Sequence, residues 1–333
     1  MIQRLALAAL AASTALPALA AVNVYSTRQP ELIQPIADAF TEETGIEVNI
    51  AHLDQGVVER MEAEGERSPA DLILTVDISR LKEVVDAGLT QPVESEVLTS
   101  SIPATLRDPE NHWFGVTTRA RVVYASEERV AEGEVTTYED LADPKWEGRI
   151  CTRSGTHPYN VALASAMLAH HDEAYTKEWI EGLKANLARK PQGGDREQAK
   201  AIWAGECDIA LGNSYYMGLM AEDPEQKEWA DAVRVVFPTF EDGGTHLNVS
   251  GVALAANAPN EEEAIRFMEF LVSREAQRIY AEDNNEYPVV EGVQASEVVQ
   301  SWGTFTPDDT DLADVADGRP TALRLMEEVN YDG

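Results

Sequence analysis

The sequence predicts an α/β protein made of two units. Three observations support this class: short apolar strands alternate with amphipathic helices, the alternation restarts after residues 143–148, and 333 residues are enough for about two domains of ordinary size. The balance of 44% hydrophobic and 26% charged residues is that of a globular protein. A coiled coil, a collagen or a wholly disordered chain is therefore excluded.

The first unit has the order β-α-β-α-β-α. Leu32, Ile33, Ile36 and Phe40 fall on one face of its first helix, and Gly45 can adopt the left-handed conformation that ends that helix. This order is typical of an open, mostly parallel sheet. The predicted strands cover residues 22–26, 46–50 and 70–75, and the predicted helices cover 31–43, 56–64 and 79–87.

The second unit and a third block follow. The second unit has predicted strands at 149–152, 207–211 and 233–237, and helices at 159–171, 173–188, 195–205 and 215–221. The third block has a strand at 250–255 and one long helix over 261–281, with Asn260 as N-cap and Glu263 completing a variant of the capping box. Residues 296–318 are expected to form an irregular surface loop before a last helix at about 320–329.

The third block is expected to return to the first unit, because the second unit already has enough strands. The chain would then cross between two lobes near residues 117–125 and 240–250, which allows a hinge with a cleft beside it. The predicted lobes are residues 21–118 with 246–333, and residues 119–245.

Residues 1–20 resemble a secretory signal peptide. Arg4 precedes an apolar run that ends in Ala18-Leu19-Ala20, a small-x-small cleavage pattern, and Pro17 interrupts the run. The alternative is a buried N-terminal helix. No later stretch approaches ~18 uninterrupted apolar residues, so the exported chain is not expected to span a membrane.

The chain is strongly acidic, with a formal charge of −33 at pH 7. Such a surface repels phosphate backbones, so nucleic acid and anionic lipid are poor candidate partners.

Cys151 and Cys207 are the only cysteines. In an exported protein, an even pair favours a disulfide over a metal site, and the loop it closes would contribute roughly 4 kcal/mol. Two free buried thiols are the alternative.

No familiar catalytic motif is present: the sequence lacks GxSxG, HExxH, a P-loop and the GxGxxG fingerprint. His170 and His171 are adjacent, but neighbours on a helix point to different sides and chelate poorly. The sequence therefore gives no support for an enzyme.

Three tyrosines lie where open α/β sheets bind ligands. Tyr159 follows Cys151 by eight residues and Tyr215 follows Cys207 by eight, each in a turn that leads from a strand into a helix, and Tyr216 is adjacent. A 151–207 disulfide would hold the two turns side by side. Phenolates are hard oxygen ligands that suit Fe(III). Tyrosines that only cap helices or line an interface would give the same spacing.

Motifs spread over nearly the whole chain resemble one family, the periplasmic ferric iron-binding proteins of ABC importers. In order they include Val24-Tyr25-Ser26-Thr27-Arg28-Gln29-Pro30, Thr44-Gly45-Ile46, Ser68-Pro69-Ala70-Asp71, Thr118-Arg119-Ala120-Arg121, Leu141-Ala142-Asp143-Pro144-Lys145-Trp146, Cys151-Thr152-Arg153-Ser154-Gly155, 185–193, Gly212-Asn213-Ser214-Tyr215-Tyr216 and Asn248-Val249-Ser250-Gly251. The resemblance implies a type II periplasmic-binding-protein fold with Fe(III) in the cleft and an ABC permease in the inner membrane as partner. A monomer in the periplasm is expected, because a moving two-lobed receptor must present both lobes to its transporter.

The resemblance also implies the ligands. The family's tyrosines correspond to Tyr159, Tyr215 and Tyr216, whereas the His-Tyr pair that many members add is replaced by Gln29 and Pro30. This pattern resembles the subgroup that uses three tyrosinates and a synergistic anion such as carbonate.

Two arginines are expected to hold that anion. Arg28 is the main candidate because a guanidinium grips planar oxyanions with two hydrogen bonds, and Arg119 is a weaker one. The alternatives are a surface salt bridge for Arg28 and a hinge ion pair for Arg119. Tyr25 lies within a strand and is expected to pack in the core.

Two other readings remain open. The first is the same fold with another ligand, a polyamine, an oxyanion or a metal–citrate chelate, although a polyamine site would favour aromatic walls with carboxylates. A secreted hydrolase is the reading from another class, and no nucleophile–base motif supports it.

Overall fold

A computed structural model describes residues 21–53 and 55–333. The predicted signal peptide, residues 1–20, lies outside the described residues. Within them, the strands are β1 Ala21–Ser26, β2 Glu47–His52, β3 Leu72–Thr75, β4 Thr90–Gln91, β5 Phe114–Ser126, β6 Ile150–Cys151, β7 Ile209–Asn213, β8 Val233–Val236, β9 Leu247–Ala255 and β10 Tyr287–Pro288. The helices are α1 Pro30–Thr44, α2 Val57–Glu64, α3 Ile78–Asp86, α4 Glu96–Ser101, α5 Pro158–His170, α6 Glu173–Ala185, α7 Asp195–Trp203, α8 Tyr215–Glu222, α9 Lys227–Asp231, α10 Glu261–Leu271, α11 Arg274–Glu282, α12 Glu297–Ser301, α13 Leu312–Asp317 and α14 Arg319–Glu328.

The strands join in the order β2-β1-β3-β9-β5-β7-β6. Strand β1 pairs in parallel with β2 and β3, and β6 pairs in parallel with β7, as the alternation of strands and helices predicts. The long strands β5 and β9 instead run antiparallel to their neighbours. The sheet is therefore mixed rather than mostly parallel.

Strand β5 connects the two lobes. Its first half, to Ala120, pairs with β9, and its second half, from Arg121, pairs with β7 and β8. All thirteen residues of β5 are buried, because the strand is covered in both lobes. The predicted two-lobed α/β fold with connecting strands is confirmed.

Each lobe has its own hydrophobic core. In the first, Phe40 of α1 packs on Phe267 and Phe270 of α10, with ring centroids 4.9 and 5.4 Å apart. In the second, Trp146 and Trp179 are buried with residues of α5 and β7. Burial of each such aromatic side chain contributes roughly 2–3 kcal/mol.

The last helices contact both lobes. Helix α13 lies between α3 and α5, and α14 packs on α5 with Leu325 and Met326 buried in the second core. The lobe boundaries given above remain a prediction, and these contacts favour grouping residues 319–333 with the second lobe.

The predicted long helix over 261–281 is wrong, since the structure has two helices, α10 and α11. The chain leaves the helical conformation at Ser273, whose Oγ accepts a hydrogen bond from the N–H of Ala276 (3.1 Å) and caps α11. The capping box at Asn260 is also absent, because Asn260 donates its backbone N–H to the buried carboxylate of Asp71 at 2.7 Å.

Residues 296–318 are not irregular throughout, because they contain α12 and α13. Leu312, Val315 and Ala316 are buried, and their spacing places them on the inner side of α13. The segment also pairs with the second crossing, where the N–H of Thr245 donates to the carbonyl of Thr306 at 2.8 Å.

The predicted disulfide is present between Cys151 and Cys207, whose Cα atoms are 5.9 Å apart. It ties the end of β6 to the residues that enter β7. Across residues 21–53 and 55–333, no helix has the length and apolar character needed to cross a membrane.

Candidate metal and anion site

Tyr215 and Tyr216 are the first residues of α8, directly after β7. Ser214 fixes this turn to the connecting strand, since its N–H donates to the carbonyl of Ala120 (3.0 Å) and its Oγ accepts from the N–H of Ala120 (3.2 Å). The two tyrosine rings lie 4.1 Å apart between centroids. The turn therefore holds both side chains at the carboxyl end of β7.

Tyr159 lies in the first turn of α5, at the end of the loop that follows β6. His157 is the N-cap of this helix, and its Nδ1 accepts the N–H of Tyr159 at 3.2 Å. Pro158 at the first helical position has the backbone angle that a helix start needs. The loop from Cys151 to Tyr159 thus runs between the disulfide and the helix start.

The three tyrosines line one cavity of about 280 Å³. Arg28 and Arg119 line the same cavity, so the structure brings together all five site residues that the sequence singled out. Gln29 is also on the wall, whereas Pro30 is the first residue of α1. Residues that line the cavity beyond these include Thr27, Leu32, His52, Val76, Asp77, Arg80, Arg153, His157, Pro158 and Glu286.

Tyr215 and Tyr216 are protonated at neutral pH in the absence of a bound cation. Burial, and then the nearby phenols of Tyr159 and Tyr216, hold the pKa of Tyr215 well above its usual value. Burial, followed by Tyr159, raises the pKa of Tyr216 in the same way. A cation that binds here must displace these protons.

Arg28 is fully buried and already engaged. Its guanidinium pairs with both carboxylate oxygens of Glu286 and donates to Ser250 Oγ at 2.7 Å. Sequence reasoning did not identify Glu286, which lies between α11 and β10 in a polar stretch of ordinary composition. The surface salt bridge considered for Arg28 is therefore wrong: the ion pair is buried.

Arg119 meets Arg28 at the same hydroxyl. Its Nη1 donates to Ser250 Oγ at 2.9 Å and its Nη2 donates to the carbonyl of Val249 at 3.2 Å. Its Nε is buried and has no partner among the described residues. Arg119 thus keeps a free donor beside the tyrosines, and its guanidinium lies 6.0 Å from the centre of the Tyr159 ring.

A second buried charge network lies next to the tyrosines, with the guanidinium of Arg153 5.1 Å from the centre of the Tyr159 ring. Asp195 at the start of α7 accepts from Arg121 and Arg153, each at 3.0 Å, and from the backbone N–H of Asn213 at 2.8 Å. Burial opposes the ionisation of Asp195, but the two arginines outweigh it and lower the pKa of that carboxyl. Sequence reasoning missed Asp195. The arginine at position 121 in the apolar strand around Val122 could have indicated it, because a buried guanidinium requires a counter-charge.

His157 is neutral at physiological pH. Burial, and then the charge of Arg153, lowers the pKa of His157 to about 3. Because its Nδ1 accepts a hydrogen bond, the neutral ring carries its proton on Nε2.

The cavity wall carries an excess of positive charge although the whole chain is strongly acidic. The Arg80 guanidinium, which is half-buried, has no ion-pair or hydrogen-bond partner among the side chains of the described residues. The charged residues on the wall are four arginines, Arg28, Arg80, Arg119 and Arg153, and two carboxylates, Asp77 and Glu286, which leaves two positive charges in excess.

The other side chains considered in the sequence lie elsewhere. Tyr25 is buried in the first lobe, as expected, and its hydroxyl donates to Glu64 at 2.8 Å. His170 and His171 contact different carboxylates, Asp242 and Glu139. Among residues 21–53 and 55–333, no three His, Cys, Asp or Glu side chains are grouped so as to hold a metal. The tyrosines are therefore the candidate ligands.

Comparison with known proteins identifies relatives over nearly the whole chain. The protein is 44% identical over 314 residues to iron uptake protein A1 of Synechocystis, which covers 93% of this chain and 87% of that protein. It is 51% identical to the apo ferric ion-binding protein A of Pasteurella haemolytica, with a TM-score of 0.91 and coverage of 94% and 98%.

A third relative, from Trichodesmium, was solved in complex with iron and citrate ligands. It is 42% identical, with a TM-score of 0.88 and coverage of 93% of this chain and 99% of that chain. The family model described as bacterial extracellular solute-binding protein matches residues 67–308. With this match, the two-lobed fold and these relatives, the chain belongs to the bacterial extracellular solute-binding protein family.

Proposed function

We propose that this protein binds Fe(III) in the cleft through the phenolates of Tyr159, Tyr215 and Tyr216. The observation that carries the proposal is the convergence of these three phenols on one cavity that holds no competing cluster of carboxylates or imidazoles among the described residues. Relatives named as ferric iron-binding and iron uptake proteins support it. Fe(III) is a hard cation with high charge, so it is the cargo that three phenolates suit.

A synergistic anion, carbonate or a similar dianion, completes the site. Three phenolates neutralise Fe(III), and the wall then keeps its two excess positive charges. Leaving them uncompensated is costly where the guanidinium groups of Arg28 and Arg119 are buried, so a dianion bound with the iron balances the charge. Arg28 and Arg119 remain the proposed anion-binding residues.

The pairing of Arg28 changes how the anion is held. Glu286 occupies both terminal nitrogens of Arg28, so an anion at Arg28 competes with a buried carboxylate. Among the described residues, Arg119 Nε has no hydrogen-bond partner, and the guanidinium of Arg80 on the first-lobe wall has no side-chain partner. Arg80 therefore joins Arg28 and Arg119 as an anion-binding residue in this proposal.

The protein acts as an exported receptor rather than an enzyme. It is secreted by the signal peptide of residues 1–20, works as a monomer in the periplasm, and delivers iron to an ABC permease in the inner membrane. The two lobes, with residues 319–333 grouped with the second, close on the metal and the anion together. Membership of the solute-binding family supports this role.

The test is a visible absorbance titration of the protein with ferric iron, with and without bicarbonate. A tyrosinate-to-iron charge-transfer band should saturate at one iron per chain and require bicarbonate for tight binding. The Tyr215→Phe/Tyr216→Phe variant should lose the band, whereas Tyr175→Phe, which removes an exposed tyrosine outside the cavity, should keep it. Absence of a band in the unmodified protein contradicts the ferric assignment.

A metal–citrate chelate is the second candidate cargo. A larger cavity of about 730 Å³ adjoins the first and shares Thr27, Arg80 and Pro158 with it, which leaves room for an anion larger than carbonate. The Trichodesmium relative with iron and citrate favours this candidate. Repeating the titration with citrate instead of bicarbonate separates the two. Tighter binding with citrate, lost in Arg80→Gln, supports the chelate.

A further inference from the structure

We propose that Tyr331 and Asp332 act as positioning residues for Tyr159 by holding the loop in front of it. The inference rests on the proposed ferric site, since it explains how one of its ligands is kept in place. We call the contacts of these two residues with residues 152–155 the 331–332 clasp.

The clasp is built from directed hydrogen bonds. The carboxylate of Asp332 accepts from Ser154 Oγ at 2.7 Å and from the backbone N–H of Gly155 at 2.8 Å. The hydroxyl of Tyr331 is hydrogen-bonded to Thr152 Oγ1 at 3.0 Å, and both side chains are buried. One carboxylate and one phenol thus fix three of the four positions from 152 to 155, namely Thr152, Ser154 and Gly155.

Steric contact adds to these bonds. A Cβ atom placed on Gly155 would lie 2.5 Å from Cδ1 of Tyr331, so the loop fits against this ring only because residue 155 is glycine. The loop therefore rests directly on the tyrosine ring, and a change in either residue moves the other.

Other contacts hold the loop at different points: the N–H of Gln192 donates to the carbonyl of Thr152 at 3.2 Å, and Arg153 donates to Asp195 at 3.0 Å. On the inner side, Asn160 Nδ2 donates to the carbonyls of Arg153 (3.0 Å) and Ser154 (3.1 Å). The hydroxyls of Ser154 and Thr156 are hydrogen-bonded to each other at 3.0 Å, but this bond lies within the loop and does not anchor it to the rest of the protein. Anchoring on both sides sets the start of α5 and hence the direction of the Tyr159 side chain.

The clasp also explains a packing feature of the fold. Helix α14 lies on α5, so the chain that leaves α14 arrives at the loop preceding α5. The carbonyl of Gly333 accepts from Lys190 Nζ at 3.0 Å, which keeps the clasp close to the second lobe. The segment after α14 is thus part of the wall that supports the site rather than a loose end of the fold.

The test compares Asp332→Ala with Glu327→Ala, a matched control that removes an exposed carboxylate from α14. After loading with Fe(III), Asp332→Ala should lose iron to a competing chelator about tenfold faster than the unmodified protein, because two hydrogen bonds to a charged group are lost. Glu327→Ala should match the unmodified protein. Equal release rates in the two variants contradict the clasp.

A double-mutant cycle with Tyr159→Phe shows whether the effect passes through Tyr159. In the Tyr159→Phe background, Asp332→Ala should change the release rate little, since the positioned ligand oxygen is already absent. A full, additive effect there would mean that the clasp acts on something other than Tyr159. Tyr331→Phe provides a milder variant that keeps the ring against Gly155 and removes one hydrogen bond.

Amide hydrogen exchange without iron separates this inference from the ferric proposal. Asp332→Ala should speed exchange at residues 153–159 with the rest of α5 unchanged. If the protein shows no iron band but exchange increases as expected, the ferric assignment fails and the clasp stands. If exchange at these residues does not change, the clasp is wrong whatever the protein binds.

Discussion

Arg28 and Glu286, 258 residues apart in the sequence, form an ion pair in which both side chains are almost completely buried. Arg28 lies two residues after β1, and Glu286 lies between α11 and β10. The pair therefore connects the segment after β1 with the segment before β10, beside the tyrosines. The intact pair contributes little net stability. Removal of one partner lowers the free energy of unfolding much more, because the remaining charge is left alone in a medium of low dielectric constant.

Glu286→Gln is expected to lower the free energy of unfolding by about 3–5 kcal/mol, since Arg28 would remain buried and charged without its partner. An anion can then take the place of the lost carboxylate, so bicarbonate should restore part of the stability. Urea unfolding with and without bicarbonate measures both effects. Glu282→Gln breaks an exposed ion pair with Arg278 and serves as the control, with little change expected. Stability of Glu286→Gln that is independent of bicarbonate would contradict an anion contact at Arg28.

Iron binding should weaken as the pH falls. The pKa of Tyr215 and that of Tyr216 lie above the usual value, so both phenols are protonated at neutral pH and each tyrosinate that forms releases a proton. The apparent affinity should fall by about tenfold per pH unit for each proton released. Proton release on addition of a ferric chelate, corrected for a protein-free blank, gives the number of protons. Tyr216→Phe should release one proton fewer, and a pH-independent affinity would rule out tyrosinate ligation.

Asp195→Asn is expected to destabilise the protein by about 3–5 kcal/mol because Arg121 and Arg153 lose their shared counter-charge. The folded protein lowers the pKa of Asp195, so its contribution is complete above the ordinary pKa of an aspartate and is lost as the pH falls through the lowered value. Asp208→Asn is a matched control, since Asp208 also accepts from two arginines but is partly exposed. Denaturant unfolding should show a clearly smaller loss for Asp208→Asn, and equal losses would contradict the role assigned to burial.

Replacement of Cys151 and Cys207 by serine is expected to lower the free energy of unfolding by about 4 kcal/mol, the chain-entropy value for a loop of this length. Since the bond ties β6 to the residues before β7, the variant should also release iron faster. Thermal unfolding and chelator competition measure the two effects. Treatment of the unmodified protein with a reductant should reproduce the variant, and unchanged stability in both cases would show that the bond contributes nothing.

Local patterns predicted the elements well where a helix or strand has a strong apolar periodicity. Helix α1 was expected at 31–43 and is Pro30–Thr44, and strand β1 was expected at 22–26 and is Ala21–Ser26. The break at Ser273 was missed, because a serine that caps a second helix has the same local appearance as a polar residue in a continuous one. Strand β5 was expected only as a connection, since a strand buried throughout lacks the alternation that marks a half-exposed one.

The sequence by itself determined the alternation of strands and helices, the paired cysteines, and the three tyrosines at the ends of strands, because each depends on residues that are close together in the chain. Only the tertiary structure decided which charges face those tyrosines. Glu286 and Asp332 reach their partners over 258 and 178 residues, and nothing local marks an ordinary carboxylate as the one that will be buried beside an arginine or a loop. The free energy of such contacts comes from the dielectric surroundings and the geometry that the fold creates, so they are set only when segments distant in the sequence have come together within each lobe.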